Sequence, residues 1–370
     1  MKFRCDKAEL LTAVSNVSRA VSGRSAMPVL EGIQIKAYDG MLTLTGYDIE
    51  LGITTSLPAQ ISEEGAAVIG AKLFGDMLRR LECEEVLFET DEKLLTVIRG
   101  GGAEYTVLGM DPADYPELPE LKDNDSLVLP QAALRSMIEQ TQFAIAQNDA
   151  KPVHMGSLFD VEEDSVTLVS VDGYRMAVRR EPAKTGLETR FVVPGKTLAE
   201  IARLLDPDDG SDAQLELRVS RQYMRTTIGE YSLITRLLDG EFLDYQTAIP
   251  KGQTTEVIVS TRELMNAVDR VSLLISDRLR SPMKIRFEPE QIHISCTTAL
   301  GRVVDDVPCA LTGKELEMGF NNRYVLDALR AADCDTLKLQ ISGPLSPMKV
   351  VPPEGDSFLF LVLPVRLKNE

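Results

Sequence analysis

One helical segment occurs three times in this chain, and the copies agree position by position. They read AKLFGDMLRRL from Ala71, GKTLAEIARLL from Gly195 and NRYVLDALRAA from Asn322. Their apolar residues recur at the spacing of one helix face, which predicts that this face is buried. A fixed repeat of this kind points to a modular fold and has to be considered before any single-domain architecture. The matched apolar positions are Phe74, Met77, Leu78, Leu81, Leu198, Ile201, Ala202, Leu205, Val325, Ala328, Leu329 and Ala332.

Each copy also carries two basic residues seven positions apart. Seven residues make two helical turns, so both side chains of a pair lie on one face, about 10 Å apart along the axis. An acidic residue, Asp76, Glu200 or Asp327, follows the first base by four positions and is a neighbour able to pair with it. One such stripe is typical of an ordinary solvated helix face, whereas three in register indicate a shared role. The pairs are Lys72 with Arg79, Lys196 with Arg203, and Arg323 with Arg330.

A second helix precedes each striped helix and repeats with the same period. Its copies start at Lys7, Gln131 and Thr261, which are 124 and 130 residues apart, and the striped helices start 124 and 127 residues apart. Alternating apolar and polar residues around the helices predict antiparallel strands. The expected fold class is therefore α+β, with three similar domains of two helices packed on antiparallel sheets. We expect the domains at residues 1–120, 127–250 and 254–370.

Length and composition are those expected of an intracellular protein with several domains. A chain of 370 residues exceeds the size at which one core usually stops growing. It has no apolar run near twenty residues and no signal-like start, and its five cysteines form no Cys-x-x-Cys pair. These features predict a soluble cytoplasmic protein with reduced thiols.

The formal net charge of −17 restricts contact with nucleic acid. An acidic surface repels phosphate, so any DNA contact has to be confined to one surface that carries the basic stripes, with the acidic residues elsewhere. Aromatic residues make up 5% of the chain and tryptophan is absent, which is too sparse for a base-stacking platform.

Motifs for catalysis or metal binding are incomplete. Gly195–Thr197 resembles half a phosphate-binding loop, but the position that needs the first glycine holds Arg190. The acidic run 206–212 has the wrong spacing for a calcium loop and is predicted to be a turn. The two histidines, His154 and His293, belong to no triad or zinc signature. We therefore expect no catalytic residues, no metal and no cofactor.

Three sheet-containing repeats in a row leave strand edges at both ends, and such edges tend to pair with another sheet. Two arrangements are open at this point. The chain could remain an open array, or it could close through a symmetric or head-to-tail dimer. In a closed ring the sheets would form the outer wall and the basic stripes would line the hole.

Several segments resemble one family. The chain is similar over its whole length to the bacterial DNA polymerase III beta subunits, the replicative sliding clamps. The resemblance implies a DNA-clamp fold that closes as a head-to-tail homodimer, encircles duplex DNA and acts as a processivity factor. It also implies, as partners, the replicative polymerase alpha subunit, the clamp loader complex and other proteins with a clamp-binding motif. The matching segments are MKF from Met1, GRSAMPVLEGI from Gly23, VSVDGYRMAV from Val169, TRLLDGEFLDY from Thr235, GFNNRYVLDAL from Gly319 and LPVRL from Leu363.

The resemblance also implies site residues. For DNA it adds to the six stripe residues Arg24, after the first helix, and a second-domain loop with Gln147, Asn148 and Lys151. For the dimer interface it implies Leu273 and Leu274 against Tyr105, Val107 and Leu108 of the partner subunit. The implied peptide pocket consists of His154, Val171, Gly173, Tyr174, Arg175, Met176, Leu243, Leu345, Pro347, Val362, Leu363, Pro364, Val365 and Arg366.

The sequence departs from the family pattern at some of these positions. Leu243 stands where many clamps have proline, His154 stands where an aliphatic residue is common, and 368–370 extend past the usual last leucine. These departures bear on which peptides the pocket prefers. An open-array peptide-binding scaffold without DNA encirclement remains the alternative, followed by a hydrolase or transferase that uses Gly195–Thr197.

Overall fold

Every predicted helix is present at its predicted place. The computed structural model describes residues 1–122, 124–148, 151–205, 213–275 and 281–367. A short additional helix follows the second repeat. The helices are α1 (Lys7–Val17), α2 (Ala71–Arg80), α3 (Gln131–Thr141), α4 (Gly195–Leu204), α5 (Tyr245–Ala248), α6 (Thr261–Ser272) and α7 (Asn322–Ala331).

The strands follow the same order around the helices in each repeat. The first repeat contains β1 (Lys2–Asp6), β2 (Gly32–Tyr38), β3 (Met41–Tyr47), β4 (Leu51–Pro58), β5 (Gln60–Glu63), β6 (Gly65–Gly70), β7 (Glu85–Thr90), β8 (Leu95–Gly100) and β9 (Ala103–Leu108). The second contains β10 (Asp125–Pro130), β11 (Gly156–Glu162), β12 (Ser165–Val171), β13 (Arg175–Pro182), β14 (Thr189–Pro194), β15 (Gln214–Val219), β16 (Tyr223–Ile228) and β17 (Tyr231–Arg236). The third contains β18 (Thr255–Ser260), β19 (Met283–Phe287), β20 (Gln291–Thr298), β21 (Gly301–Gly313), β22 (Leu316–Phe320), β23 (Thr336–Ile341), β24 (Met348–Val351) and β25 (Phe358–Val362).

The chain forms two compact units. The first comprises Met1–Leu129 and Arg203–Leu237, and the second Pro130–Ala202 and Leu238–Glu370. The first unit holds a five-stranded sheet in the order β5-β1-β7-β8-β9 and an eight-stranded sheet in the order β10-β15-β16-β17-β4-β3-β2-β6. The second holds a twelve-stranded sheet in the order β14-β11-β12-β13-β25-β24-β23-β18-β21-β20-β19-β22.

Strands from neighbouring repeats join into common sheets. In the first unit β17 pairs antiparallel with β4, with Leu233 opposite Ile53. In the second unit β25 pairs antiparallel with β13, with Phe360 opposite Ala177. The last strand of one repeat therefore pairs with the fourth strand of the repeat before it, and both edges gain hydrogen-bond partners. This pairing explains why each compact unit contains strands of two repeats.

Local signals in the sequence set the helix starts. The Asp6 carboxylate accepts the Glu9 amide N–H at 2.9 Å, and the Ser260 hydroxyl accepts the Glu263 amide N–H at 3.4 Å. Both contacts are those expected of capping residues, because the first amides of a helix have no partner inside it. Asp6 and Ser260 therefore cap α1 and α6.

The repeated apolar pattern is confirmed as the buried face of the striped helices. None of its twelve side chains is more than 9% exposed, and the aromatic member, Phe74, is completely buried. Burial of a large apolar side chain stabilises a fold by about 1.5–3 kcal/mol. These helices are therefore anchored to their domains by packing. Within the described ranges, no helix has the length and apolar character needed to cross a bilayer.

Candidate peptide-binding groove and nucleic-acid interface

The turn between β12 and β13 places Tyr174 on the surface. The Asp172 carboxylate Oδ1 accepts the amide N–H groups of Tyr174 and Arg175, each at 3.0 Å. Gly173 between them has φ +84°, a backbone conformation that residues other than glycine rarely adopt. The aspartate thus fixes a tight turn. The Tyr174 side chain extends from it with 61% of its surface exposed.

The guanidinium of Arg175 is held from four sides. Its Nε lies 2.9 Å from Asp172 Oδ2, and its Nη1 lies 2.5 Å from Asp327 Oδ2 on α7. The Tyr324 and Phe143 rings lie 4.6 and 5.4 Å away, within cation–π range. The side chain is only 13% exposed. Arg175 therefore links the β12–β13 turn to the third repeat. It is not a free cation at the rim of the predicted peptide pocket.

The chain end crosses this turn. The Leu363 amide N–H donates to the Tyr174 carbonyl at 2.9 Å, and the Val365 amide N–H donates to the Gly319 carbonyl at 2.8 Å. A Cβ atom at Gly319 would lie 2.7 Å from the Val365 carbonyl oxygen, so only glycine allows the tail to pass so closely. These contacts bring Tyr174, Leu363 and Val365 together as an exposed apolar surface.

The predicted pocket residues divide by exposure. Val171, Met176 and Val362 are buried and belong to the core beneath the groove, as expected for inward-facing strand residues. The surface residues are Gly173, Tyr174, Leu243, Leu345, Leu363, Val365 and Arg366, and the half-buried residues are His154, Arg175, Pro347 and Pro364.

The segment that carries Leu243 lines an open cavity of about 580 Å³ together with residues 151–153. The Phe242 ring packs edge-on against His154 at 5.6 Å between centroids. Lys151, which the resemblance implies for DNA, also lines this cavity. The cavity wall consists of Lys151, Pro152, Val153, Asp239, Gly240, Glu241, Phe242, Leu243 and Asp244.

A buried polar network holds this segment in place. Asp160 is 3% exposed and accepts two hydrogen bonds from the Arg190 guanidinium, at 2.7 and 2.8 Å. The Tyr245 hydroxyl donates to the same carboxylate at 2.9 Å. Burial, together with this hydrogen bond, raises the pKa of Tyr245. Because Tyr245 is two residues from Leu243, the network also restrains the segment that carries Leu243.

All six stripe residues are exposed on their helices. Two of the acidic neighbours, Asp76 and Asp327, bind a base other than the first base of their own stripe. Asp76 lies 2.5 Å from Arg79, the second base of its stripe, and this hydrogen bond lowers the pKa of Asp76. Asp327 binds Arg175 of another repeat. Helix spacing alone did not identify these partners, because each acid has more than one base within reach.

Other exposed polar residues lie in the two predicted DNA loops. Arg24 is exposed after α1, where its carbonyl oxygen accepts the Ser22 hydroxyl at 2.8 Å. Gln147 and Asn148 are exposed after α3. Their side chains are thus accessible to a ligand.

Large exposed apolar side chains lie at β9, after α6 and at the start of β21. Leu108 is 74% exposed and Leu273 is 83% exposed, while Tyr105, Val107 and Leu274 are half-buried. Leu300 and Val304 share this character and were missed in the sequence. The alternation of inward-facing and outward-facing side chains along β21 was a signal that could have identified Val304 as exposed. Such exposure is typical of surfaces that another protein covers.

Within the described parts of the chain, no group of three or more His, Cys, Asp or Glu side chains could hold a metal ion. The acidic run 206–212 lies outside the described residues. Gly195 directly follows β14 and begins α4, as the sequence indicated.

Sequence reasoning also missed the residues that hold the groove. Asp172 had a local signal, since Asp-Gly is a turn pair. Phe143, Tyr324 and Asp327 had none, because they come from distant positions and meet only around Arg175.

Three helix-and-sheet repeats with joined sheets define a clamp-type architecture. Models of the DNA polymerase III beta subunit match the chain in three parts, the N-terminal domain at 1–119, the central domain at 128–244 and the C-terminal domain at 246–366. The chain belongs to the DNA polymerase III beta subunit family.

Individual relatives agree with this assignment. The beta sliding clamp of Bacillus subtilis is 30% identical over 99% of this chain and 100% of its own length. The crystal structure of the DNA polymerase sliding clamp from Bacillus subtilis has a TM-score of 0.94, 30% identity and coverage of 100% of both chains. A DNA polymerase III beta subunit from Eubacterium rectale has a TM-score of 0.93 and 32% identity, and the match covers 99% of this chain and 100% of that one.

Proposed function

We propose that this chain is a processivity factor of DNA replication that closes as a head-to-tail homodimer around duplex DNA. Each subunit contributes three domains, at 1–120, 127–250 and 254–370. The observation that carries the proposal is the triple repeat of a helix with a buried apolar face and an exposed basic pair. One exposed pair is ordinary, but three equivalent pairs match the lining of a ring built from equivalent domains.

The charge distribution fits a ring that slides. A closed ring retains DNA by topology, so strong phosphate contacts are not needed and would slow its movement. Six stripe residues per subunit, with Arg24, Gln147, Asn148 and Lys151, would give a weak contact that is independent of sequence and sensitive to salt. The net charge of −17 leaves an acidic remainder that repels DNA from other surfaces.

The strand pairing supports closure by a second copy. The pairs β17–β4 and β25–β13 use the last strand of one repeat and the fourth strand of the repeat before it. The remaining equivalent strands are β9 and the first part of β21, and the described residues provide no partner for either edge. A head-to-tail dimer would pair β9 with β21 of the partner subunit. It would also cover Leu108 and Leu273.

The groove would then connect the ring to its partners. Tyr174, Leu363 and Val365 form an exposed apolar surface suited to an extended peptide with apolar anchor residues, and the resemblance adds Leu243. The partners are the replicative polymerase alpha subunit, the clamp loader complex and other proteins with a clamp-binding motif. In this role the chain is a cytoplasmic accessory subunit and not an enzyme, and it needs no cofactor.

Retention on closed DNA tests the proposal. After loading by a clamp loader, the labelled protein should remain on nicked circular duplex and dissociate from linear duplex of the same sequence. Light scattering should give twice the chain mass of 40.8 kDa. Equal loss from both DNA forms would contradict encirclement. A monomer that binds peptide but is not retained would favour the open-array scaffold.

A further inference from the structure

A stacked pair of tyrosines joins the second and third repeats. The Tyr174 ring in the β12–β13 turn lies 5.9 Å from the Tyr324 ring on α7, centroid to centroid, with 25° between the ring planes. Both residues belong to the second compact unit. The contact uses one position of a turn in one repeat and one position of the striped helix in the next. Because the three repeats share one plan, the same two positions can be located in the other repeats.

The β20–β21 turn of the third repeat is built like the β12–β13 turn of the second. In each turn the side chain of the first residue accepts the amide N–H of the third residue. Asp172 accepts from Tyr174 at 3.0 Å. Thr298 accepts from Leu300 at 3.1 Å. The first residue is also paired across each turn with the fourth. Leu300 therefore holds the position of Tyr174, and it is 73% exposed.

The striped helix of the first repeat has a leucine at the position of Tyr324. The repeat aligns Lys72 of α2 with Arg323 of α7, so the residues that follow, Leu73 and Tyr324, also correspond. Tyr324 is half-buried, whereas Leu73 is 53% exposed. One exposed leucine is ordinary on a protein surface. Here, however, the exposed leucines lie at the two positions that meet where the second repeat joins the third.

Strand pairing at both internal junctions ends on the same hydrogen bond. The Arg236 amide N–H donates to the carbonyl of Glu50, the third residue of the β3–β4 turn, at 2.8 Å. The Leu363 amide N–H donates to the carbonyl of Tyr174, the third residue of the β12–β13 turn, at 2.9 Å. When β9 takes the place of β17 and β25, the same bond runs from Leu108 to the third residue of the partner's β20–β21 turn.

We propose that Leu73 packs against Leu300 of the partner subunit where the two chains of the dimer meet. The inference rests on the proposed head-to-tail dimer and adds to its strand pairing a contact between α2 and a turn of the second copy. Leu108 joins this contact from the end of β9. The exposed leucines of the two chains thus form one apolar cluster across the junction.

The ion pair of the internal junction has no counterpart in this cluster. Asp327 lies 2.5 Å from Arg175 where the second and third repeats meet. The equivalent positions are Asp76 on α2 and Gly301 in the β20–β21 turn, and glycine offers no charge to the carboxylate. Asp76 instead lies 2.5 Å from Arg79 on its own helix. The proposed contact is therefore apolar and should not respond to salt as an ion pair does.

A double-mutant cycle on subunit exchange tests the contact. Fluorescein-labelled and rhodamine-labelled dimers are mixed, and the rise in energy transfer gives the exchange rate of the unchanged protein, Leu73→Ala, Leu300→Ala and the double variant. Each single change should speed exchange about tenfold, because it removes apolar atoms from the junction and interface substitutions act mainly on dissociation. The double variant should fall clearly short of the product of the single effects, since either change alone already removes the contact.

The control is Met41→Ala. Met41 is also exposed and apolar, but it lies on β3, which pairs on both sides with strands of its own repeat. This variant should exchange at the rate of the unchanged protein. Leu73 and Leu300 are exposed in the single chain, so alanine at either position removes no core contact, and thermal melts should remain unchanged.

The outcomes separate the contact from the dimer itself. Single effects that multiply in the double variant, or exchange rates equal to that of Met41→Ala, would overturn the contact while the dimer stands. A deficit in the double variant at low salt that disappears at high salt would overturn the apolar character of the contact. Absence of energy transfer in the mixed unchanged protein, with the mass of a monomer in light scattering, would overturn the head-to-tail dimer and the contact with it.

Discussion

Arg175 and Asp327 form an ion pair across 152 residues of sequence, with Nη1 2.5 Å from Oδ2. The pair lies between the β12–β13 turn and α7, and the arginine is only 13% exposed. Loss of the carboxylate would leave the guanidinium short of a partner in a region with little solvent. Such a contact stabilises more than a pair on the open surface.

We therefore expect Asp327→Asn to lower the free energy of unfolding by about 1–2 kcal/mol. A thermal melt followed by circular dichroism would measure the fall in melting temperature. The control is Asp269→Asn, since Asp269 lies 3.8 Å from Arg330 and both side chains are mostly exposed. The control should change the melting temperature little. Equal effects in the two variants would contradict a special role for the Arg175 pair.

Neutralising one base in each stripe should weaken the binding of DNA. The change Lys72→Gln/Lys196→Gln/Arg323→Gln removes three exposed charges per subunit. Binding becomes less sensitive to salt when fewer phosphates are neutralised. The magnitude of the slope of log K against log salt decreases by about 0.9 for each phosphate contact that is lost. Titration of a short duplex at several salt concentrations measures this slope.

The control for the stripes removes three exposed lysines from other places. Lys93→Gln/Lys184→Gln/Lys314→Gln gives the same net charge change in turns and at strand ends. It should leave the salt slope closer to that of the unchanged protein. If both variants reduced the slope equally, overall charge and not the stripes would determine DNA binding.

The proposed ring interface has a defined register. Ser232 lies opposite Thr54 in the β17–β4 pair. When β9 is matched to β17 and β21 to β4, Glu104 lies opposite Val304 of the partner subunit. Opposite residues in antiparallel strands have Cα atoms about 4.5–5.5 Å apart, which a disulfide can span.

The double variant Glu104→Cys/Val304→Cys should therefore form a covalent dimer under mild oxidation, seen on a non-reducing gel. Neither single variant should do so, although the five native cysteines are present in all of them. A separate change, Leu273→Asp, should shift light scattering from dimer to monomer. Crosslinking without a change in Leu273→Asp would keep the β9–β21 pairing and show that Leu273 contributes little to the interface.

The β3–β4 turn has the same aspartate as the β12–β13 turn but lacks its glycine. Asp48 Oδ1 accepts the amide N–H groups of Glu50 and Leu51 at 3.0 and 2.7 Å, and Ile49 between them has φ +76°. A β-branched residue in this conformation costs about 1–2 kcal/mol. We expect Ile49→Gly to raise the melting temperature. The equivalent change Gly173→Ala should lower it, and a lower value in both would contradict strain at Ile49.

His293 should make stability depend on pH. Its two ring nitrogens contact the carboxylates of Asp306 and Glu288, while Glu288 also binds Arg286 at 2.9 Å. The hydrogen bond to Asp306 raises the pKa of His293 most, and the hydrogen bond to Glu288 raises it further. A raised pKa means that the folded state favours the imidazolium. The stabilisation is therefore complete below the unfolded value of about 6.5 and is lost as pH rises through the folded value.

Melting temperatures from pH 5.5 to 9 would reveal this loss. His293→Gln should flatten the profile over that range, and the His293 ring resonances, identified in NMR spectra by their loss in this variant, should titrate above pH 6.5. A profile unchanged by the substitution would assign the pH dependence to other groups.

The periodic parts of this protein can be predicted from residue order. Helix boundaries, buried faces and exposed basic pairs follow from residue order, because neighbours three and four positions apart share a helix face wherever the helix is placed. Phe74, Leu198 and Val325 were therefore identifiable as core residues, and the repeat identified the fold class.

Contacts between distant groups depend on how the strands of different repeats pair. Asp327 could pair with a base on its own helix, yet it binds Arg175 because sheet pairing brings the β12–β13 turn to α7. The segment that carries Leu243 is likewise held by a distant group, because the Tyr245 hydroxyl donates to Asp160, 85 residues away in the sequence. Such contacts depend on how sheets join across repeats. Local periodicity carries no information about that joining, because it describes only residues close together in the chain.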